Sequence, residues 1–273
     1  MPKNRLKIGV FGCGVIGSAI CSAIDEGTID ADLIAICDRD PAIEQLADSL
    51  DSHPATMNIS RMARAVDIVV EAASQQAVRT IAPIVLAAGC DLMIMSVGTL
   101  SDAELFDQLK DLARRNDCRI YIPSGAVAGI DGIRSAAIGR IDSVVLTTTK
   151  PPAGFAGAPY IEEHGIDLSS LSEATVLFKG TAADAVQAFP ANVNVAGTLS
   201  LAGIGYDATT VRVIADPAVT RNMHEIEVTG EFGALTVRVE NVPSPENPKT
   251  SYIAVLSAIA TLKKLTEPVW VGT

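Results

Sequence analysis

The chain has 273 residues, of which 48% are hydrophobic and 19% charged, and its formal net charge is −11. That size supports one large packed domain or two modest ones, and the acidity argues against partners that need a basic face, nucleic acid and anionic membrane alike. Aromatics make up only 4%, so the core must be Ala, Val, Ile and Leu, which suits a parallel sheet sandwiched by helices.

The first predicted element is an apolar strand from Ile8, which runs into Gly12-Cys13-Gly14-Val15-Ile16-Gly17 and then a small-residue helix. A strand, a glycine-rich turn and a helix start in this order form a pyrophosphate cradle. Gly12, Gly14 and Gly17 allow the bend and the close approach, and the N–H groups around Val15 and Ile16 face the phosphates. A second apolar strand, Leu33 to Cys37, ends at Asp38, 21 residues beyond Gly17. A carboxylate there accepts hydrogen bonds from an adenosine ribose and repels a 2′-phosphate, favouring NAD. Arg39 follows and could receive that phosphate, so NADP stays open.

Further strands are predicted at Val66–Ala73, Asp91–Ser96 and Arg119–Ile122, alternating with helices that begin near Pro41, Ser74 and Asp102. This alternation predicts a Rossmann-type doubly wound parallel sheet. Ala73, Ser74 and Ser96 would line its cofactor crevice. After residue 124 the rhythm changes. A short helix at 130–138, a strand at 143–149 and a Pro/Gly-bearing loop at 151–170 precede strands near 175, 210, 225 and 235. The expected fold is therefore α/β, with a second α+β domain built on an open, mainly antiparallel sheet. The expected domains are a dinucleotide-binding domain at 1–123, completed by a C-terminal helix at 244–273, and a catalytic and oligomerisation domain at 124–243.

Five cysteines, at 13, 21, 37, 90 and 118, show no CxxC spacing and read as buried thiols of a reducing compartment. Lys3, Arg5 and Lys7 precede an apolar stretch, but glycines interrupt it, and no run is long enough to cross a bilayer. A cytoplasmic protein is expected. No metal-binding or Walker motif is present in the sequence, so no metal is expected.

Three histidines occur, His53, His164 and His224. Histidine is the natural acid–base group near neutral pH, and His224, at the entrance to a strand, is either catalytic or an ordinary hydrogen-bonded residue. Asn192 and Asn194, after Phe189-Pro190, either cap a helix or donate to a ligand amide. Lys150 and Lys249 are surface cations or partners for substrate carboxylates.

Six stretches together resemble the L-aspartate dehydrogenase family. They are Gly9–Gly17, Val70–Val78, Ile122–Gly129, Phe189–Ala196, Arg221–Ile226 and Glu246–Tyr252. The first is generic to dinucleotide folds, whereas the other five are specific in combination. The resemblance implies oxidation of L-aspartate to iminoaspartate with NAD or NADP. The imine then hydrolyses to oxaloacetate and ammonia or feeds NAD biosynthesis. It implies that His224 is the catalytic histidine and that Ala126 and Asn194 bind NAD. A substrate with two carboxylates needs cations, for which Lys150, Arg221 and Lys249 are the candidates. A homodimer or larger homo-oligomer is expected. The alternatives are a related reductase of the dihydrodipicolinate reductase or homoserine dehydrogenase type, or an NAD-binding sensor without turnover.

Overall fold

The computed structural model describes residues 5–190, 193–244 and 250–273. In chain order the elements are β1 (Leu6–Phe11), α1 (Val15–Asp25), β2 (Ala31–Cys37), α2 (Ile43–Ser49), β3 (Ala55–Thr56), α3 (Ile59–Ala65), β4 (Ile68–Glu71), α4 (Gln75–Ala87), β5 (Asp91–Ile94), α5 (Ala103–Arg115) and β6 (Ile120–Tyr121). There follow α6 (Ile130–Ala136), β7 (Ile141–Lys150), α7 (Pro159–Glu163), β8 (Thr175–Thr181), α8 (Ala182–Ala188), α9 (Asn194–Ala202), β9 (Thr210–Ala215), β10 (Asn222–Gly230), β11 (Gly233–Asn241) and α10 (Tyr252–Thr266).

Two compact units result. One holds the residues up to Pro123 together with Val255–Val271, and the other holds the described residues from Ser124 to Ala254 with Gly272–Thr273. The first unit is a six-stranded sheet in the order β3-β2-β1-β4-β5-β6, and every pairing is parallel. Its central strands carry unbroken apolar runs because helices cover both faces. Ile8, Val10, Val69, Val70, Leu92 and Met93 are all fully buried. Strand order reverses between β1 and β4, the switch point at which such sheets hold ligands beyond their carboxyl ends. Helix α10 returns to this unit and places Ala258 and Leu262 in its core.

The second unit has the order β11-β10-β7-β9-β8. Only β7 and β9 run parallel, and the other pairings are antiparallel. Period-2 alternation sends Val144, Leu146 and Thr148 of β7 and His224, Ile226 and Val228 of β10 to one buried face. Helices α6, α8 and α9 contribute Ile133, Ala185 and Leu199 to the same core. The opposite face is polar, with Glu227, Thr236 and Glu240 exposed.

The segment expected to be a plain loop, 151–170, contains α7 and two short 3-10 turns, Pro152–Phe155 and Leu168–Ser170. Two apolar anchors, Phe155 and Ile161, are drawn into the core and fold the segment around themselves. Phe155, Tyr160 and Phe178 each approach Phe189, with ring centroids 5.9, 5.5 and 5.8 Å away. Phe189 is 1% exposed. Phe189→Ala should therefore destabilise the second unit by about 3–5 kcal/mol, read as a lower midpoint in urea unfolding followed by circular dichroism.

Candidate active site

The turn after β1 divides its work among three glycines. Gly12 sits at φ +91°, and a Cβ there would lie 2.6 Å from that of Ala73. A Cβ on Gly17 would run into the Gly12 carbonyl, so helix and strand approach as closely as they do only because position 17 has no side chain. Gly14 is different: a Cβ there would meet nothing within 4 Å. Its space is open rather than filled by protein. It is also the N-cap of α1 and supplies no side-chain cap, so the first-turn N–H groups of Val15, Ile16 and Gly17 are directed at that open approach.

Asp38 closes the other side of this site. Its Oδ2 accepts from the Cys13 N–H at 2.5 Å, and its Oδ1 accepts from the N–H groups of Arg39 (2.6 Å) and Asp40 (3.0 Å). Burial opposes its charge, but these three donors and the Arg39 guanidinium outweigh burial and hold the carboxyl below its ordinary range. The exposed Arg39 side chain thus stands beside the carboxylate. A cavity of about 420 Å³ opens between the turn and α2, lined by Cys13, Gly14, Ser18, Asp38 and Ile43 among others. A cradle that is open at Gly14, a free helix start and a charged carboxylate beyond β2 fit the pyrophosphate and ribose of a dinucleotide.

Across the switch point the strand ends are braced from within. Glu71, the last residue of β4, is fully buried. Its Oε1 accepts from the N–H groups of Ala73 (2.8 Å) and Ser74 (2.9 Å) and from the Ser96 hydroxyl (2.9 Å), and its Oε2 accepts from the Ser96 N–H (3.0 Å). Burial pushes its pKa up, against those hydrogen bonds. Ala73 and Ser74 are exposed, and the Ser74 hydroxyl caps α4 by accepting from the Ala77 N–H. Ser96 turns its hydroxyl inward to Glu71 rather than outward to the crevice expected for it.

In the second unit a cross-strand row runs Val213–Thr148–His224–Val239. The Thr148 hydroxyl lies 3.0 Å from His224 Nδ1, and both residues are buried. Nε2 of the ring has no hydrogen-bond partner among the described residues. In the next row along the same face Lys150 pairs with Ala215, and Asn222 pairs with Asn241. Burial lowers the Lys150 pKa to about 8. Burial first, and then the charge of Lys150, lower that of His224 to about 3. The imidazole is therefore neutral in the free protein. Asn241 is 3% exposed. Its Nδ2 donates to the Ala126 carbonyl at 3.0 Å, and its buried Oδ1 has no partner.

Several of the expected residues are thus gathered. Gly14 and Asp38 line one cavity, Gly12, Gly17 and Arg39 flank them in the chain, Ala73 backs onto Gly12, and His224 and Lys150 share a sheet face. Arg221 is exposed one residue before β10. Asn194 is the first residue of α9, whose N-cap is Val193 with no side-chain cap, so Asn194 is not the capping residue weighed for it. Lys249 and Asn192 lie outside the described residues. Sequence reasoning passed over Glu71, Thr148 and Asn241. Glu71 left a signal, a lone carboxylate ending an otherwise apolar buried strand. Thr148 and Asn241 left none, because only strand register brings them to His224 and Ala126.

A family model described as "Aspartate dehydrogenase, C-terminal" matches residues 131–265, and one described as "Homoserine dehydrogenase, NAD binding domain" matches residues 12–123. The L-aspartate dehydrogenase of Methanosarcina mazei is 59% identical over 98% of this chain and 100% of its own length. That of Nitrosopumilus maritimus is 44% identical over 98% of this chain and 99% of its own. Among solved structures, aspartate dehydrogenase from Thermotoga maritima superimposes with a TM-score of 0.78 at 25% identity, covering 98% of this chain and 100% of that one.

The contrast between two glycines is testable. Gly14→Val should leave the thermal midpoint near that of the wild type yet sharply weaken NADH binding followed by fluorescence. Gly17→Val should lower the midpoint itself.

Proposed function

The chain belongs to the L-aspartate dehydrogenase family, and on that premise we propose that it oxidises L-aspartate to iminoaspartate, which hydrolyses to oxaloacetate and ammonia. The cofactor is NAD or NADP. When bound, it would supply the acceptor for the hydride that leaves the substrate Cα. Everything else falls to side chains of this chain.

The observation that carries the reading is the buried His224 with Thr148 at Nδ1 and Lys150 beside it. With Nδ1–H donating to the Thr148 hydroxyl, Nε2 presents a lone pair. That tautomer can take the proton the substrate ammonium must lose before an imine forms, or activate the water that hydrolyses the imine. A free-protein pKa near 3 makes the ring a weak base by itself. The substrate corrects this in two ways. Its carboxylates favour the imidazolium, and a carboxylate paired with Lys150 offsets the cation that repels a proton from the ring. A bound dicarboxylate would thus raise the basicity of His224. Arg221 and Lys249 are further candidates for the second carboxylate.

In the cofactor half, Asp38 would accept from the adenosine ribose and disfavour a 2′-phosphate, and Arg39 beside it keeps NADP within reach. Gly12, Gly14, Val15, Ile16 and Gly17 would form the pyrophosphate cradle, with Ala73 and Ser74 across the crevice. Ala126, held by Asn241, and Asn194 are further candidates for binding the cofactor. No helix among the described residues is long and apolar enough to cross a membrane. A cytoplasmic homo-oligomer completes the proposal.

The homoserine dehydrogenase alternative rests on the first unit alone, since the model matching residues 131–265 is that of aspartate dehydrogenase. Purified protein should reduce NAD or NADP with L-aspartate, and turnover of homoserine but not aspartate would overturn the assignment. His224→Asn should lower kcat by roughly 10²–10⁴-fold while NADH still binds, and an unchanged rate would remove the histidine from the mechanism.

The depressed pKa has its own consequence. Between pH 6.5 and about 3 the unfolded chain binds a proton at His224 that the folded chain does not, so stability must fall as pH drops through that window. Thermal midpoints measured from pH 7 to pH 4 should decline less steeply in His224→Asn than in the wild type.

A further inference from the structure

Glu71 takes no part in the chemistry above, yet few side chains are so fully engaged. It is sealed from solvent, and all four of its hydrogen-bond neighbours are donors, an arrangement suited to a carboxylate. The donors come from two separate connections. Ala73 and Ser74 belong to the turn after β4, and Ser96 belongs to the turn after β5. One carboxylate therefore ties together two strand ends on the same side of the switch point. Ala73 also backs directly onto Gly12, so the tie extends to the wall of the pyrophosphate turn. Asp38 stands on the other side, at the end of β2.

In a sheet of this order, one mononucleotide half of the ligand lies over β1-β2-β3 and the other over β4-β5-β6. Asp38 belongs to the adenosine half, which leaves the nicotinamide half over the turns that Glu71 holds. We propose that Glu71 is a positioning residue that sets the nicotinamide side of the crevice by fixing the turns at Ala73–Ser74 and at Ser96. This rests on the reading that the first unit binds a nicotinamide dinucleotide. A simple packing role predicts general destabilisation. A positioning role predicts a loss confined to one end of the ligand.

Glu71→Gln separates the two. The variant keeps the side-chain volume, but whichever way the amide turns, one oxygen becomes an N–H donor. The Ala73 and Ser74 N–H groups lose their acceptor in one orientation, and the Ser96 N–H loses it in the other. Binding of NADH and of AMP to the full-length protein is measured by calorimetry. NADH should weaken roughly tenfold or more, while AMP, which reaches only the adenosine half, should bind as to the wild type. Ser96→Ala removes a single hydroxyl and serves if the first variant does not fold, with a smaller loss expected for NADH and none for AMP. Unchanged NADH affinity in the folded variant, or equal weakening of NADH and AMP, overturns the proposal. Failure of the wild type to bind either ligand would instead sink the dinucleotide reading, and this proposal with it.

Discussion

An imidazole kept uncharged inside a sheet is the constraint on which the second unit turns. His224 lies on the helix-covered face of β10, a place dictated by period-2 alternation and shared with Ile226 and Val228. That face is a hydrophobic core for most of its length. Toward the end of β7 it becomes polar, with Thr148, Lys150, Asn222 and Asn241 replacing the aliphatic rows. A charged ring in such surroundings would be costly, and the neighbouring lysine raises the cost. The imidazole is therefore held neutral in the free protein.

The first unit works on a different principle. Its essential feature is the absence of side chains at the crossing of β1, α1 and the turn after β4. Gly17 lets the helix close on the strand, Gly12 adopts a backbone angle that other residues resist, and Gly14 leaves a vacant approach. Glu71 then fixes the facing wall from beneath. The two walls of the crevice are shaped by opposite means, one by removing atoms and the other by surrounding a buried carboxyl with donors.

Much of this was legible in the sequence. The parallel sheet announced itself through apolar runs punctuated by glycine and Asp38, because a strand buried on both faces needs such runs. The glycine turn was identifiable from its residue types and spacing, whereas His224 and Lys150 could be weighed only as candidates. What stayed hidden depended on strand pairing. Thr148 lies 76 positions from His224 and Asn241 lies 115 from Ala126, and no local pattern links either pair. The inward turn of Ser96 was equally invisible, since an exposed hydroxyl and one bonded to a buried carboxylate look alike in one dimension. The compact segment at 151–170 was missed because Phe155 and Ile161 are too widely spaced to give a helical or strand period.

The path of the chain has a consequence for synthesis. The first sheet is completed by Ala258 and Leu262, which emerge from the ribosome after every strand of the second unit has been made. A nascent chain of 123 residues holds all six strands of that sheet but lacks the helix that seals it. The amino-terminal half must therefore wait, with part of its core uncovered, until Leu262 has been made. A chain released early would carry an uncovered apolar patch prone to association. The fold thereby couples sealing of the first unit's core to synthesis of the second unit.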